Sequence, residues 1–376
     1  MNDPPMGTNR RELLRAVAGI GSAGLAGCLD TAATSGATTE TVELTDGANR
    51  TVAVPRTVDR LVAIGPGALR QVAYLDAMDR VVGVERGEHT DHRTLPYNLA
   101  NPRLQDLPVV GPSGPDAGGN AEALLGVEPD LLLVSAISGA DAADRLESQT
   151  GVPTVVLSMP FPVDDASHEA LYAMWRRLGS VLGVETRAKR VIEFVSQTVA
   201  DLRSRAPDRA AATAFAGGVS YKGAQGFATT RVPYPPFWYA GAGNVASPIE
   251  SVGVSVNVDV EQLLAWDPDA VFVSAANVDL VREDLRSHPE LRSLTAFDRE
   301  NAFSLLPVSH YHENVGSMLL NGYFVGRTLY PAAFDDVDPA STAAEIYRAL
   351  LGTAVYDEVV AASPAYERFS PERSGQ

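Results

Sequence analysis

The chain has 376 residues, 45% of them hydrophobic, and a formal net charge of −17. That length sets an expectation of about two or three domains, and the apolar fraction is enough to bury real cores. Lys189 and Lys222 are the only lysines, and a chain this acidic lacks the basic footprint that phosphate binding needs, which argues against nucleic acid as a partner.

Residues 1–27 read as an address rather than a fold. Arg10 and Arg11 precede a run of small apolar residues from Ala16 to Ala26, which closes at Leu25-Ala26-Gly27-Cys28. These are the charged, apolar and small-residue parts of a secretory signal, and the run falls short of the roughly 20 residues a spanning helix takes. The paired arginines resemble a twin-arginine export signal, and Leu-Ala-Gly-Cys resembles a lipobox. That resemblance implies that Cys28, the only cysteine, is the lipid-bearing first residue of the mature chain; the bland alternative is a buried, inert thiol. Residues 28–41 are small and polar, the composition of a flexible spacer.

From Val42 the pattern changes. "VELTDGANRTVAVP" alternates apolar and polar residues around Asp-Gly and predicts a β-hairpin. "RLVAIGPGALRQVAYLDAMDRVVGVE" predicts a strand, a Gly-Pro-Gly turn, a helix starting after Gly67 and a strand at Val81–Val84. A short strand ends at Gly111, "NAEALLGVEP" predicts a helix stopped by Pro-Asp, "DLLLVSA" a buried strand, "ADRLESQTG" a helix closed by Gly151, and "VPTVVLS" a strand. Strands alternating with helices at this spacing imply a parallel sheet covered on both faces, here over residues 42–166. Residues 167–206 are helical by periodicity and run without proline from Ser167 to Arg205, with a break at Gly183 and a long second helix from Glu185 to Arg205.

Residues 207–376 repeat the first half. "AAATAFAGG" predicts a strand, "YAGAGNVA" a helix end and turn, "DVEQLLAWDP" a helix, "DAVFVSA" a strand, "VREDLRSHPELRSL" a helical region and "NAFSLLP" a strand; "VGSMLLNGYFVGRTLYP" and "PASTAAEIYRALLG" close the chain as helices. "NAEALLGVEPDLLLVS" and "DVEQLLAWDPDAVFVS" are echoes of each other, with Glu122 and Glu261 each seven residues ahead of Pro129 and Pro268. The echo marks two α/β lobes of similar build joined by a helical segment.

With the lipobox, the paired echo, "SYKGAQGFATTRVPYPPF" and "LLNGYFVGRTLYP", the chain from about Val42 to Tyr356 resembles the lipoprotein solute-binding subunits of ATP-driven importers, in the branch that handles iron chelates, haem and cobalamin. The resemblance implies an α/β fold of two Rossmann-like lobes with parallel-rich sheets joined by one long connecting helix. It implies a monomer on the extracytoplasmic face of the membrane, lipid-anchored, with no cofactor of its own. It also implies that Glu122 and Glu261 meet arginine pockets on a permease dimer served by separate ATPase subunits; the chain itself has no G-x-x-x-x-G-K loop. A first-turn carboxylate is favoured by the helix dipole and pairs directionally with arginine, although the same glutamates also read as caps of their own helices. The acidic surface is similar to that of proteins from salt-loving archaea.

In such folds the ligand occupies the crevice at the carboxyl ends of the parallel strands. The candidates are therefore Gly65 and Pro66 in the Gly-Pro-Gly turn, Arg86 in the 85–92 loop, Ser135, Met159 and Phe161 in the first lobe. The second lobe offers Tyr221 and Lys222, then Tyr234 and Trp238 in "YPPFWY", and Ser309, His310, Tyr311, His312 and Asn314 in "SHYHEN". "YPPFWY" reads either as an aromatic wall for a macrocycle or as core packing. His310, Tyr311 and His312 read as iron or cobalt ligands, as hydrogen-bonding groups for the rim of a chelate, or as a capping turn. Arg86 suits a carboxylate of the ligand or stands solvated. One rival is capture of a bare zinc, manganese or iron ion through His89, His92, His310 and His312, though neither pair sits on a known zinc motif. A cell-surface enzyme is the other class: no G-x-S-x-G elbow is present and the lone cysteine is spent at the amino terminus. A sensory binding protein is a third reading.

Overall fold

A computed structural model describes residues 40–115, 118–207, 211–219, 225–250 and 255–372. Arg10, Arg11, Cys28, Tyr221 and Lys222 lie outside the described residues. The first elements are the hairpin β1 (Thr41–Thr45) and β2 (Thr51–Pro55), paired antiparallel. Its turn is docked rather than free. Gly47 donates its N–H to the Val156 carbonyl at 2.8 Å, and Asp46 Oδ2 accepts from Val156 N and from Arg50. A Cβ on Gly47 would lie 2.3 Å from Ser158 N, so the position admits glycine alone.

The first lobe continues with β3 (Leu61–Ile64), α1 (Ala68–Tyr74), β4 (Val81–Glu85), α2 (Pro96–Leu99), β5 (Val109–Gly111), α3 (Ala121–Gly126), β6 (Leu131–Ser135), α4 (Ala140–Thr150) and β7 (Thr154–Leu157). Its sheet is parallel throughout in the order β5-β4-β3-β6-β7. Two helices follow, α5 (Asp165–Val181) and α6 (Glu185–Arg205), separated at Gly183, whose φ of 64° breaks the helical run after α5. The second lobe holds β8 (Thr213–Gly217), β9 (Thr229–Arg231), α7 (Pro235–Ala240), β10 (Gly243–Asn244), β11 (Ser255–Asn257), α8 (Val260–Trp266), β12 (Ala270–Ser274), α9 (Val278–Ser287), α10 (Thr295–Asp298) and β13 (Ala302–Leu305). Its parallel sheet has the order β10-β8-β12-β13, with β9 and β11 forming a separate antiparallel ribbon. Helices α11 (Val315–Leu329), α12 (Pro339–Leu351) and α13 (Tyr356–Ala362) complete the described chain.

The echo has a structural meaning at its aspartates. Asp130 Oδ2 accepts from the Asp59 and Arg60 backbone N–H groups at 3.0 and 2.8 Å, where β3 begins. Asp269 Oδ2 accepts from Thr213 N and Thr213 Oγ1 at 2.9 and 2.8 Å, where β8 begins. In each lobe the Pro-Asp therefore ties the incoming strand to the start of its parallel neighbour and fixes register, with Leu61 opposite Leu131 and Ala214 opposite Ala270. The residues just before the prolines, Glu128 and Asp267, both take positive φ, at 45° and 39°.

Alternation along the strands sorts their side chains into cores. Leu61, Ala63, Leu131 and Leu133 join Ala214, Ala216, Ala270 and Phe272 of the other sheet in one continuous core, filled by α1, α5, α6, α11 and α12. Val62, Ile64, Leu132 and Val134 form a core on the outer face of the first sheet, and Phe215, Val271 and Val273 one on the outer face of the second. Arg187 on α6 donates to the Tyr74, Ala349 and Leu350 carbonyls, strapping the connecting segment to α1 and α12. No described helix is long and apolar enough to cross a membrane.

Candidate functional site

The carboxyl ends of β3, β4 and β7 meet the loop that follows β13. Gly65 and Gly67, at φ of 88° and 81°, turn the chain from β3 into α1 in a conformation that other L residues rarely adopt. The turn is also crowded: a Cβ on Gly67 would lie 2.7 Å from Met159 Cε and 2.8 Å from His312 Cβ, and one on Gly65 would lie 2.5 Å from Ser138 Oγ. The Gly-Pro-Gly turn thus forms a floor between a first-lobe methionine and a second-lobe histidine.

Glu85, at the last position of β4, is buried and joins the lobes. Its Oε2 accepts the Gly65 N–H at 3.1 Å and the Tyr311 hydroxyl at 2.7 Å. Burial pushes the carboxyl up to about 8 against the pull of those two hydrogen bonds, so it stands protonated at neutral pH. The Tyr311 oxygen in turn accepts the Gly114 N–H at 3.1 Å, and the Tyr311 ring stacks on His92 at 3.9 Å between centroids. His92 is held by buried Glu88, whose carboxylate also takes the Tyr97 hydroxyl and the Asn98 amide.

Beside this contact lies an ion pair. Arg231, at the end of β9, reaches Glu313 Oε1 at 2.8 Å, and its guanidinium sits 3.6 Å from the Phe161 ring centroid. Burial raises the Glu313 carboxyl, against the opposing pull of the Arg231 guanidinium in direct contact with it. His310 and His312 are pushed down to about 4 and about 3, chiefly by burial and further by the Arg70 charge, so both are neutral imidazoles. Among the polar atoms here with no hydrogen-bond partner in the described residues are Glu85 Oε1, Ser138 Oγ, His312 Nδ1 and Glu313 Oε2. Buried polar atoms are ordinarily paired, and a cluster of unpaired ones is a place where a ligand or ordered water supplies the partners. His310 also lines an adjoining cavity of about 240 Å³ between Thr94–Pro96 of the first lobe and Ala275 and Leu306 of the second.

The structure gathers Gly65, Pro66, Met159, Phe161, Tyr311 and His312, with Ser309 and His310 on the same loop and Arg86 exposed one residue beyond Glu85. Ser135 is fully buried, and its hydroxyl accepts the Ile137 N–H as a cap. Three expectations need correction. Tyr234 is core, 3% exposed and edge-on to Phe237 at 4.9 Å. Trp238 packs away from the strand ends, stacked on His168 and capped by Arg203, because the paired prolines start α7 and turn its aromatic face to the connecting helices. Asn314 caps α11, its Oδ1 accepting the Ser317 N–H and the Tyr74 hydroxyl.

The four-histidine metal site is not assembled either. His89 Nε2 is bonded to the Leu104 carbonyl, the Tyr311 hydroxyl is committed to Glu85, and among the described residues no group of three or more His, Cys, Asp or Glu is placed to hold a metal ion. The sequence reading missed Arg70, Glu85, Ser138, Arg231 and Glu313. None of them carried a local signal: that Arg70 is the one charged residue in a helix whose every residue is buried is visible only in the fold. Glu122 and Glu261 both stand exposed in the first turns of α3 and α8, with no hydrogen-bond or ion-pair partner among the described residues.

The fold is similar to those of known solute-binding proteins. Haemophilus influenzae MolA, a molybdate periplasmic binding protein solved with molybdate, superposes with a TM-score of 0.67 at 19% identity, covering 83% of this chain and 98% of that one. The TroA-like periplasmic binding protein FepB from Veillonella parvula gives 0.60 at 19% identity, covering 83% and 97%. Helicobacter pylori CeuE, solved in a nickel–histidine complex, gives 0.59 at 16% identity, covering 87% and 100%. No curated protein matches the chain by sequence. The sequence model described as "Periplasmic binding protein" matches residues 61–307, more than half of the chain, which therefore belongs to the periplasmic binding protein family, the extracytoplasmic solute-binding components of ATP-driven import.

Proposed function

We propose that this chain is a lipid-anchored receptor that captures a metal complex carrying its own chelator, a ferric siderophore, haem or cobalamin, and hands it to an importer. The observation that carries this reading is the cluster of polar atoms from both lobes, on Glu85, Ser138, His312 and Glu313, that have no hydrogen-bond partner among the described residues, around a glycine floor. Neutral imidazoles, a protonated acid and a hydroxyl suit the polar rim of a chelate. Capture of a bare metal ion is the weaker reading, since among the described residues no group of three or more His, Cys, Asp or Glu is placed to hold one. Export through Arg10 and Arg11 and anchoring at Cys28 complete the proposal, and the exposed Glu122 and Glu261 are its docking points for arginines of a permease.

The test is tryptophan fluorescence quenching with ferric hydroxamate, ferric catecholate, haem, cobalamin, and free zinc, manganese and ferric ions. Sub-micromolar binding of one chelate or macrocycle, weakened about tenfold or more by His312→Ala or Ser138→Ala through lost hydrogen bonds, is expected. Tight binding of a free ion alone overturns the chelate reading. Reversal of charge at Glu122 and Glu261 together should abolish uptake while leaving affinity intact; surviving uptake refutes the docking assignment.

A further inference from the structure

Arg70 lies in the middle of α1, the helix that leaves the Gly-Pro-Gly floor, and is 1% exposed. No carboxylate among the described residues pairs with it. Its Nη1 instead donates to the Tyr311, His312 and Glu313 carbonyls at 3.2, 3.0 and 2.8 Å, and its Nη2 to the His310 carbonyl at 2.7 Å. The guanidinium also lies 5.1 Å from the Tyr97 ring centroid. A guanidinium taken out of water is costly unless its donors are satisfied; here four successive carbonyls of the opposite lobe take up both terminal nitrogens, while Nε has no hydrogen-bond partner among the described residues. The same convergence explains an otherwise unfavourable backbone. Tyr311 and His312 sit at φ of 51° and 74°, a left-handed conformation that side chains other than glycine rarely adopt without support.

We propose that Arg70 is a positioning residue: by gathering the four carbonyls of residues 310–313 it folds that loop so that Tyr311 reaches Glu85 and His312 faces the glycine floor, and it pins the two lobes together at the cleft. The contact shapes the loop through the protein's own groups. Its relevance to capture rests on the proposed function, but its test needs no ligand, so either can fail alone. Arginine is required because its planar fork spreads donors across several acceptors, whereas a lysine ammonium is a point charge. Arg70→Lys keeps the charge and loses the fork; Arg70→Met loses both.

The experiment measures two quantities in the full chain with Cys28 replaced by serine. The first is the spin-label distance distribution between Ser148→Cys on α4 and Ser287→Cys on α9, both exposed. The second is the pH titration of the imidazole NMR signals. Both variants should broaden the distribution about twofold as the lobes gain slow collective motion. Arg70→Met should raise the titration points of His310 and His312 by about one unit through loss of a neighbouring cation, and Arg70→Lys should leave them closer to the parent. A merely structural residue would not separate the two variants in this way. A parent-like distance distribution in either folded variant overturns the pin, and unchanged histidine titrations in Arg70→Met overturn the assignment of the charge to this loop.

Discussion

Replacing Glu85 with glutamine isolates the cost of burying an acid at the junction of the lobes. Glutamine keeps an oxygen for the Gly65 N–H and the Tyr311 hydroxyl, and removes only the ability to ionise. In the folded chain the carboxyl is raised to about 8 from an ordinary 4.5. The folded state therefore holds this proton between those two values while the unfolded state gives it up, so the parent's stability falls as pH rises through that window and levels off above about 8. At about 1.4 kcal/mol per unit the full effect is on the order of 4 to 5 kcal/mol. Urea denaturation of parent and Glu85→Gln at intervals from pH 5 to 9 measures it, because titrating groups remote from Glu85 cancel in the difference. The variant should gain on the parent steadily with pH and stop gaining near 8. A difference that is flat across the range, or that falls with pH, would mean that Glu85 is ionised in the folded chain and would refute the assignment.

Three other outcomes are expected. His310 and His312 should show no imidazole titration between pH 5 and 8 by NMR; because their folded values lie below 6.5, they subtract stability as pH falls below 6.5, the opposite direction to Glu85. Gly67→Ala places a methyl against Met159 and His312 at a positive φ and should cost about 2 to 3 kcal/mol in chemical denaturation, with cleft binding weakened in parallel. Asp130→Ala and Asp269→Ala each strip two donors of their acceptor at a strand start and should each cost about 1 to 2 kcal/mol; lying in different sheets, their costs should add.

The strands that pair within the sheets were legible because they are buried on both faces. "LVAI", "LLLVS", "TVVL" and "AVFVS" are apolar runs, and the helices α3, α4 and α8 end at glycine or before proline. β10, only two residues long, has no periodicity to read, and "YAGAGNVA" looked like a turn. "YPPFWY" has a composition that serves a ligand wall and a core equally well, and only the placement of α7 decides between them. At the site, the "SHYHEN" loop could be located because it lies between a strand and a helix. What shapes it could not, because Arg70 and Glu85 contact it from more than two hundred residues away in sequence. Long-range partners of this kind leave no local trace.

The core that runs unbroken from one sheet to the other, strapped by Arg187, bears on how this chain can be turned into a sensor. A pair of fluorophores on the two lobes would change separation little on capture, because the shared core and the Arg70 contact hold the lobes together. A single environment-sensitive dye is the better reporter. Arg86, exposed and one residue beyond the buried Glu85, is the attachment point that the architecture offers.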